Sequence, residues 1–251
     1  MKLLEPVLIR GMSCELGQIL ARALVAEKCR ILGISRSRES CNRLLEAGFE
    51  AVYAEEPEAL PALLAGTAFH APRAFVDCAH SHTESLVAAL DPQQIDRWSL
   101  EDIATRARFL RTVVRLMLPG REGRCLFISS AALAAPARGQ GYYAAAKAAG
   151  EALYASVGLE MAARGITTCS LRLGWMDAGR GRTYLRSRTA GFASLVPTGH
   201  LVSLDEACEG LLYLLSPGAR SINATVVTMD GGFSQTKPEP QQERTAVVRG
   251  E

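Results

Sequence analysis

Tyr143 and Lys147 stand four residues apart in an alanine-rich stretch that reads GYYAAAKAAGEAL. On an α-helix this spacing places both side chains on one face, one turn apart. A neighbouring ammonium favours the phenolate and lowers a tyrosine pKa, and such a tyrosine can give a proton to a developing oxyanion. The pair therefore predicts a proton-donating site. The alternative is an alanine-rich helix that merely contains both residues.

Ser130 stands 13 residues before Tyr143, at the end of an apolar run of β type. A serine hydroxyl at that place can hydrogen-bond a carbonyl oxygen and orient it. The neighbouring Tyr142 lies five residues from Lys147 and off the shared face, so we expect it to pack or to contact substrate. Ser130, Tyr143 and Lys147 are the predicted catalytic residues.

A glycine-bearing turn, IRGMSCELGQ, follows the first apolar run. Gly11 and Gly17 suit a tight turn and a close helix-strand contact, and the N–H groups at the start of the next helix can bind a pyrophosphate. A plain turn between strand and helix is the alternative. Glu15 brings a negative charge to this turn, so binding of a dinucleotide requires that it face away, toward Arg10 or Arg36.

The end of the second apolar run carries Ser35 and Arg36, where an acidic residue would select NAD. A hydroxyl and a guanidinium suit a 2′-phosphate, because arginine makes charge-assisted, bidentate contacts to it. NADP(H) is therefore the predicted cofactor. The alternative is that Arg36, Arg38 and Arg43 form the solvated face of the next helix.

Short apolar runs of β type alternate with longer helical patterns along the chain. The predicted strands span 7–9, 31–35, 51–54, 74–79, 125–129, 167–173 and 225–229, and the predicted helices span 16–28, a segment ending near 48, 57–64, 99–117, 141–164 and 204–215. Several strands are apolar throughout, which indicates a parallel sheet covered on both faces. We predict one α/β domain over 1–234, a doubly wound, Rossmann-like, three-layer fold with a seven-stranded parallel sheet. Residues 235–251 are polar and proline-bearing, and we expect a disordered tail.

Composition excludes several classes of protein. The 251 residues carry a net charge of +2 without a lysine-rich block, so no nucleic-acid partner is expected. Seven scattered cysteines, odd in number and without a CxxC pair, indicate reduced thiols, and we expect no metal site. The N-terminal apolar run is too short for a signal peptide or a membrane span, so we expect a cytoplasmic protein with no membrane partner.

The serine with Tyr-x-x-x-Lys, on this order of strand and helix, resembles the short-chain dehydrogenase/reductase family. Other segments in register are Gly11 and Gly17 for TGxxxGxG, 76–80 (VDCAH) for VNNAG, Leu173-Gly174 for Pro-Gly, and 229–232 (MDGG) for the late DGG. The resemblance implies an NADPH-dependent reductase that reduces a ketone by hydride transfer, with Tyr143 as the acid and Lys147 also on the nicotinamide ribose. The implied cofactor-binding residues are Gly11, Ser13, Leu16, Gly17, Ser35, Arg36, Ala79, Lys147 and Gly174.

The chain looks most similar to the β-ketoacyl carrier-protein reductase branch of that family. The resemblance implies a small-molecule carbonyl substrate, with a carrier-protein-bound one as an option, and a homodimer or homotetramer. The segment 174–200 occupies the position of the family's substrate lid. Its arginines and aromatic residues suit an anionic substrate, and a solvated lid without a specific anion is the alternative; these residues are Arg180, Arg182, Arg186, Arg188, Trp175, Tyr184 and Phe192.

Several positions depart from the family pattern. Counting back from Phe109 places Ala104 where the family often has an asparagine. His80 replaces the glycine of VNNAG, where it is a proton donor, a substrate contact or neither. These departures, with Glu15, favour a second hypothesis. In it the chain is a degenerate family member that catalyses a non-redox reaction, such as dehydration or cyclisation, or serves as a binding partner.

Overall fold

Seven parallel strands form one sheet in the order β3-β2-β1-β4-β5-β6-β7. The computed structural model describes residues 2–81, 83–134, 137–186 and 191–236. The strands are β1 Val7–Arg10, β2 Ile31–Ser35, β3 Ala51–Tyr53, β4 Ala74–Asp77, β5 Gly123–Ser130, β6 Ile166–Leu173 and β7 Thr225–Met229. The predicted doubly wound α/β fold with a seven-stranded parallel sheet is confirmed. Each predicted strand is present, within two residues at either end.

The central strands are apolar throughout because helices cover both faces of the sheet. All residues of β1 and β4 are buried, and β1 pairs with β2 on one side and with β4 on the other. Chain order reverses at this point, since β2 and β3 extend one way and β4 to β7 the other. Ligands of such sheets bind beyond the carboxyl ends of the strands at this reversal.

Eight α-helices connect the strands in the part of the chain that the structure describes. They are α1 Glu15–Ala26, α2 Arg38–Glu46, α3 Leu60–Leu64, α4 Pro92–Trp98, α5 Thr105–Met117, α6 Gly141–Met161, α7 Gly179–Arg186 and α8 Leu204–Leu214. One face of the sheet packs against α1 and α8, and the other against α5 and α6. Burial of each large aliphatic side chain in these two layers stabilises the fold by about 1.5–3 kcal/mol.

The long central helix begins earlier than position 99, where the sequence pattern placed it. Helix α4 begins at Pro92 and continues through a π-helical segment, Ser99–Ala104, into α5. Asp91 caps α4 in a reciprocal capping box with Gln94, and Pro92 suits the first helical turn. That signal was present in the sequence as DPQQ, but few apolar residues follow it, so hydrophobic periodicity missed the helix.

Helix α6 lies against β5 and β6 at short range, because small residues face the sheet. A Cβ atom at Gly150 would come within 2.4 Å of the Phe127 ring, and one at Gly158 within 2.4 Å of the Thr168 Oγ1. These two glycines therefore permit close packing of α6 against β5 and β6.

The described residues end at Thr236, two residues beyond the predicted domain boundary. Gln235 closes a 3-10 turn, Phe233–Gln235, and residues 237–251 of the predicted tail lie outside the described residues. Within the described ranges, no helix has both the length and the apolar character needed to cross a membrane. All seven cysteines are free thiols in this structure.

Candidate active site

The glycine-bearing turn between β1 and α1 brings backbone atoms into close contact. Gly11 has φ +78°, a conformation that favours glycine, and a Cβ there would lie 2.7 Å from the backbone nitrogen of Ala79. A Cβ at Gly17 would lie 2.8 Å from the Met12 Cα and 2.9 Å from the Gly11 carbonyl oxygen. The two glycines therefore let the turn pack tightly against the loop after β4 and the start of α1.

Two cavities of about 720 and 770 Å³ adjoin this turn at the carboxyl ends of the strands. The first is lined by Leu16, Ser130, Tyr143, Lys147 and Gly174 among other residues. The second is lined by Gly11, Ser13, Ser35, Arg36 and Ala79 among others. Every predicted site residue except the buried Gly17 lines one of the two cavities, and both cavities share Cys14, Cys78 and His80. The sequence predictions thus converge on one continuous cleft.

Arg36 lies at the far end of the second cavity, whereas Arg38 and Arg43 contact other side chains. The Arg38 guanidinium lies over the Tyr53 ring, 4.1 Å from its centroid. Arg43 pairs with Glu39, with 3.6 Å between Nη1 and Oε1, on the exposed face of α2. The solvated-face interpretation therefore applies to Arg43, whereas Arg36 lines the second cavity together with Arg10 and Arg108. The hydroxyl of Ser35 is held locally, since it donates to the Ser37 carbonyl oxygen at 3.0 Å.

Lys147 lies beneath the first cavity, 3% exposed, and Tyr143 lies one turn before it. The Lys147 Nζ donates to the Ile128 carbonyl oxygen at 2.7 Å and lies 5.6 Å from the centroid of the Tyr143 ring. Burial, together with the charge of Arg106, lowers the pKa of Lys147 to about 7. The ammonium that would favour a Tyr143 phenolate is therefore itself close to titration at neutral pH.

Ser130 and His80 line the first cavity together with Tyr143. The Ser130 Oγ accepts the Ala132 N–H at 3.2 Å, which leaves its own hydrogen for donation into the cavity. The His80 ring meets the Tyr143 ring edge-on, with 5.9 Å between centroids. The other tyrosine, Tyr142, is 8% exposed, and its hydroxyl donates to the Val87 carbonyl oxygen at 2.9 Å. Its predicted packing role agrees with this contact.

A buried ion cluster that the sequence did not predict lies behind the cleft. The Asp77 carboxylate accepts from the Arg10 Nη1 at 3.1 Å and from the Arg106 Nε at 3.2 Å. All three side chains are at most 4% exposed. Arg106 also donates from Nη2 to the Ala79 carbonyl oxygen at 2.8 Å, in the loop that follows β4. Asp77, in the place of an asparagine of the family motif, thus fixes that loop directly, by accepting the Ala79 N–H at 3.1 Å, and through Arg106.

The π-helical segment between α4 and α5 adds a second anchor for the same loop. Asp102 Oδ1 accepts the Ser81 N–H at 2.7 Å, and its Oδ2 accepts the Ser81 hydroxyl. Ala104, the position reached by counting back from Phe109, is separate from these contacts. Asp102 lines the second cavity, together with Glu101, Thr105 and Arg108 of the same continuous helix.

Glu15 pairs with Arg182 of α7, rather than with Arg10 or Arg36 as the sequence suggested. Its Oε2 lies 3.0 Å from the Arg182 Nη2, and its Oε1 accepts the Gly179 N–H at 3.2 Å. Arg10 is committed to Asp77, which explains the different partner. The ion pair neutralises the carboxylate at the phosphate turn, so Glu15 is compatible with a bound dinucleotide.

The same contact changes the interpretation of the lid, since Arg182 binds Glu15 and Asp177 within the protein. Trp175 packs against Phe192 and Phe233 at ring-centroid distances of 5.2 and 6.4 Å. Arg188 and the side chains of Arg180, Tyr184 and Arg186 lie outside the described residues. Binding of an anionic substrate stays a prediction for Arg180, Arg186 and Arg188. It no longer includes Arg182, whose guanidinium is paired within the protein.

Known proteins resemble the chain in sequence and in fold. The family model described as enoyl-(acyl carrier protein) reductase matches residues 71–234. The 3-oxoacyl-(acyl-carrier-protein) reductase FabG of Salmonella typhimurium is 25% identical over 233 residues, which cover 90% of this chain and 96% of that protein. The Escherichia coli FabG is 24% identical over the same coverage.

Solved structures show the same fold at lower identity. A short-chain dehydrogenase/reductase-family oxidoreductase from Burkholderia thailandensis matches with a TM-score of 0.82 at 20% identity, covering 94% of this chain and 95% of its own. A variant of actinorhodin polyketide ketoreductase solved with NADPH matches with a TM-score of 0.78 at 23% identity, covering 92% and 98%. The chain belongs to the short-chain dehydrogenase/reductase family of NAD(P)-dependent oxidoreductases.

Proposed function

We propose that this protein is an NADPH-dependent ketoreductase that reduces the ketone of a 3-oxoacyl thioester or a related carbonyl compound. The observation that carries the proposal is the convergence of Ser130, Tyr143 and Lys147 on one cavity that continues past the glycine turn to Arg36. The similarity to 3-oxoacyl-(acyl-carrier-protein) reductases supports the class of substrate.

The residues of the second cavity fit NADP(H). Gly11 and Gly17 permit the tight turn that sets the N-terminus of α1 beside this cavity, because a side chain at either position would collide with backbone atoms, and a helix N-terminus suits a pyrophosphate. Arg36 provides a guanidinium for the 2′-phosphate, and Arg182 screens the carboxylate of Glu15. When bound, the cofactor supplies the hydride.

Three side chains then complete the reduction. Ser130 donates a hydrogen bond to the substrate carbonyl oxygen and orients it, and Tyr143 gives its hydroxyl proton to the alkoxide that develops there. The charged form of Lys147 favours the phenolate that Tyr143 becomes. Because the pKa of Lys147 is lowered to about 7, this support is present below neutral pH and declines above it in the free enzyme.

A steady-state assay with a panel of ketones tests the proposal. We expect oxidation of NADPH with 3-oxoacyl thioesters, both on a small thiol and on a carrier protein, and a lower kcat/KM with NADH. Fluorescence titration of both nucleotides accompanies the assay. Binding of neither nucleotide would refute the redox function and leave the non-redox hypothesis, while a preference for NADH would refute the role of Arg36.

We also propose a homodimer or homotetramer, with α5 and α6 at the interface. Leu159 of α6 supports this, since its large apolar side chain is 73% exposed. Light scattering on the purified protein measures the state, and replacement of Leu159 by lysine should shift it toward monomer.

A further inference from the structure

Two cysteines lie together where the two cavities meet, and the proposed reaction uses neither. Cys14 is the N-cap residue of α1, where its Sγ accepts the Gly17 N–H at 3.3 Å. Cys78 directly follows β4 and is 5% exposed. Both line both cavities, and Cys78 stands where the family motif has its second asparagine.

The backbones that carry these cysteines are already neighbours. Strands β1 and β4 pair side by side, with Arg10 opposite Asp77. The next residues approach so closely that a Cβ at Gly11 would lie 2.9 Å from the Cys78 carbonyl carbon. Cys14 lies three residues beyond Gly11, at the start of α1, and its Sγ is within hydrogen-bond reach of the Cys78 thiol. A disulfide needs Cα atoms within roughly 4.4–6.8 Å of each other, so two thiols in direct contact need little rearrangement to form one.

The surroundings of Cys14 favour its thiolate. A hydrogen bond from the Cys78 thiol, with further support from the Gly17 N–H and the charge of Lys147, lowers the pKa of Cys14 below that of an ordinary thiol. The same hydrogen bond and burial raise the pKa of Cys78, which keeps its proton. Cys29, the other cysteine that is not buried, differs because burial and nearby carboxylates raise its pKa.

We propose that Cys14 and Cys78 form a redox-sensitive dithiol that a hydroperoxide converts to a disulfide within the cofactor cleft. The Cys14 thiolate attacks the peroxide, an S–O bond forms as the O–O bond breaks, and the alkoxide or hydroxide leaves. The Cys78 sulfur then attacks the Cys14 sulfenic acid, and the S–S bond forms as the S–O bond breaks. The Cys78 proton leaves with the hydroxyl as water, and a dithiol reductant restores both thiols by exchange.

The disulfide would close the cleft at the junction of the two cavities. It withdraws the Cys14 Sγ from the Gly17 N–H and ties the start of α1 to the loop after β4. A dinucleotide that spans both cavities must pass this junction. The chemistry of the pair depends on the chain alone, whereas its effect on cofactor binding rests on the proposed function.

To test the proposal, the 251-residue protein is treated with hydrogen peroxide, and the peroxide is then removed. Free thiols are blocked and the protein is digested with trypsin. The expected product is a disulfide between the peptides 11–22 and 74–97, which carry Cys14 and Cys78. In parallel, NADPH is titrated by fluorescence before oxidation, after it, and after reduction with dithiothreitol. We expect oxidation to weaken binding at least about tenfold and reduction to restore it.

Three variants separate the outcomes. In Cys14→Ser and Cys78→Ser, oxidised and reduced samples of the same variant should bind NADPH alike, while Cys29→Ser should respond to peroxide as the wild type does. Serine is a good N-cap, so the first change retains the start of α1. Absence of the linked peptides after peroxide overturns the dithiol, even if the reduced protein binds NADPH. Linked peptides in a protein that never binds NADPH overturn the proposed function instead.

Discussion

Tyr143 and Lys147 share a helix face, but their surroundings differ in a way that decides their chemistry. Lys147 is 3% exposed and donates to the Ile128 carbonyl oxygen, while Tyr143 faces the cavity beside His80. A buried amine tunes its neighbour through charge, and a tyrosine at a cavity wall can reach a substrate. In the proposed reaction, Tyr143 therefore donates the proton and Lys147 supports it.

Replacement of Tyr143 by phenylalanine removes the proposed acid and retains the ring. We expect kcat/KM for ketone reduction to fall by about 10²–10⁴, the usual contribution of general acid catalysis, with NADPH binding within a few-fold. The matched control is Tyr142→Phe, which loses only the hydrogen bond to Val87 at a cost of about 1 kcal/mol in stability. Equal losses of activity in both variants would refute the assignment.

The stability of the protein should depend on pH through Lys147, because burial lowers its pKa to about 7 from an ordinary 10.5. Between these values the unfolded chain binds a proton that the folded chain lacks, so this group's contribution to stability rises with pH. Lys147→Met removes this titrating group. The difference in unfolding free energy, variant minus wild type, should therefore become more negative by about 1–3 kcal/mol between pH 6 and pH 9.

Urea unfolding of the cofactor-free protein at several pH values measures this trend, and the exposed Lys28→Met is the control. The buried amine lies close to Arg106, whose charge acts in the same direction as burial. A difference between Lys147→Met and wild type that is constant across this pH range would contradict the lowered pKa.

The turn between β1 and α1 needs glycine at position 17 because backbone atoms lie where a side chain would be. In Gly17→Ala the new methyl group would lie 2.8 Å from the Met12 Cα, a backbone atom that cannot move alone. We expect about 1–3 kcal/mol of lost stability and at least tenfold weaker NADPH binding. Gly120→Ala, where a Cβ meets no atom within 4 Å, should change neither quantity appreciably. Denaturant melts and fluorescence titration measure both.

The ion cluster of Arg10, Asp77 and Arg106, which joins β1, β4 and α5, should stabilise the fold. Asp77→Asn leaves two arginines buried without their carboxylate, and the expected cost is about 3–5 kcal/mol in the free energy of unfolding. Glu122→Gln is the matched control, because it breaks an exposed pair with Arg73 that is worth about 1 kcal/mol or less. A cost for Asp77→Asn no larger than that of the control would show that the cluster contributes little.

These elements also show what a sequence can predict. The alternation of strands and helices was predictable because buried parallel strands are apolar throughout and helices repeat every 3.6 residues. The partner of Arg10 was not, since Asp77 is 67 positions away and only the pairing of β1 with β4 brings them together. Glu15 and Arg182 are 167 positions apart and meet for similar reasons.

In the candidate site too, residues of local motifs were predictable and residues brought together by the fold were not. Gly11, Tyr143 and Lys147 belong to local motifs, so their spacing predicted them, and the structure places them along one cleft. Asp102 was missed because its role arises from a π-helical segment that directs it to Ser81. The Cys14 and Cys78 pair was missed because each cysteine looked like an isolated core thiol in the sequence.

At the scale of the whole molecule, the cleft joins the two halves of the sheet. The second cavity adjoins the ends of β1 and β2, and the first adjoins those of β5 and β6, so a dinucleotide along both contacts each half. Binding to the folded state alone stabilises it by about 2.7 kcal/mol at a ligand concentration of 100 Kd. For a domain of this size, that energy corresponds to about 5–10 °C in Tm.

Thermal unfolding with nucleotides therefore tests how the whole domain recognises its cofactor. NADPH should raise Tm by about 5–10 °C at saturation, and NADH at the same concentration should raise it less, because Arg36 has no 2′-phosphate to bind. In Arg36→Ala the two shifts should become similar, whereas Arg43→Ala, which changes an arginine paired with Glu39 on α2, should keep the wild-type difference. If NADPH and NADH shift the wild type equally, selection of the phosphate does not occur at the end of β2.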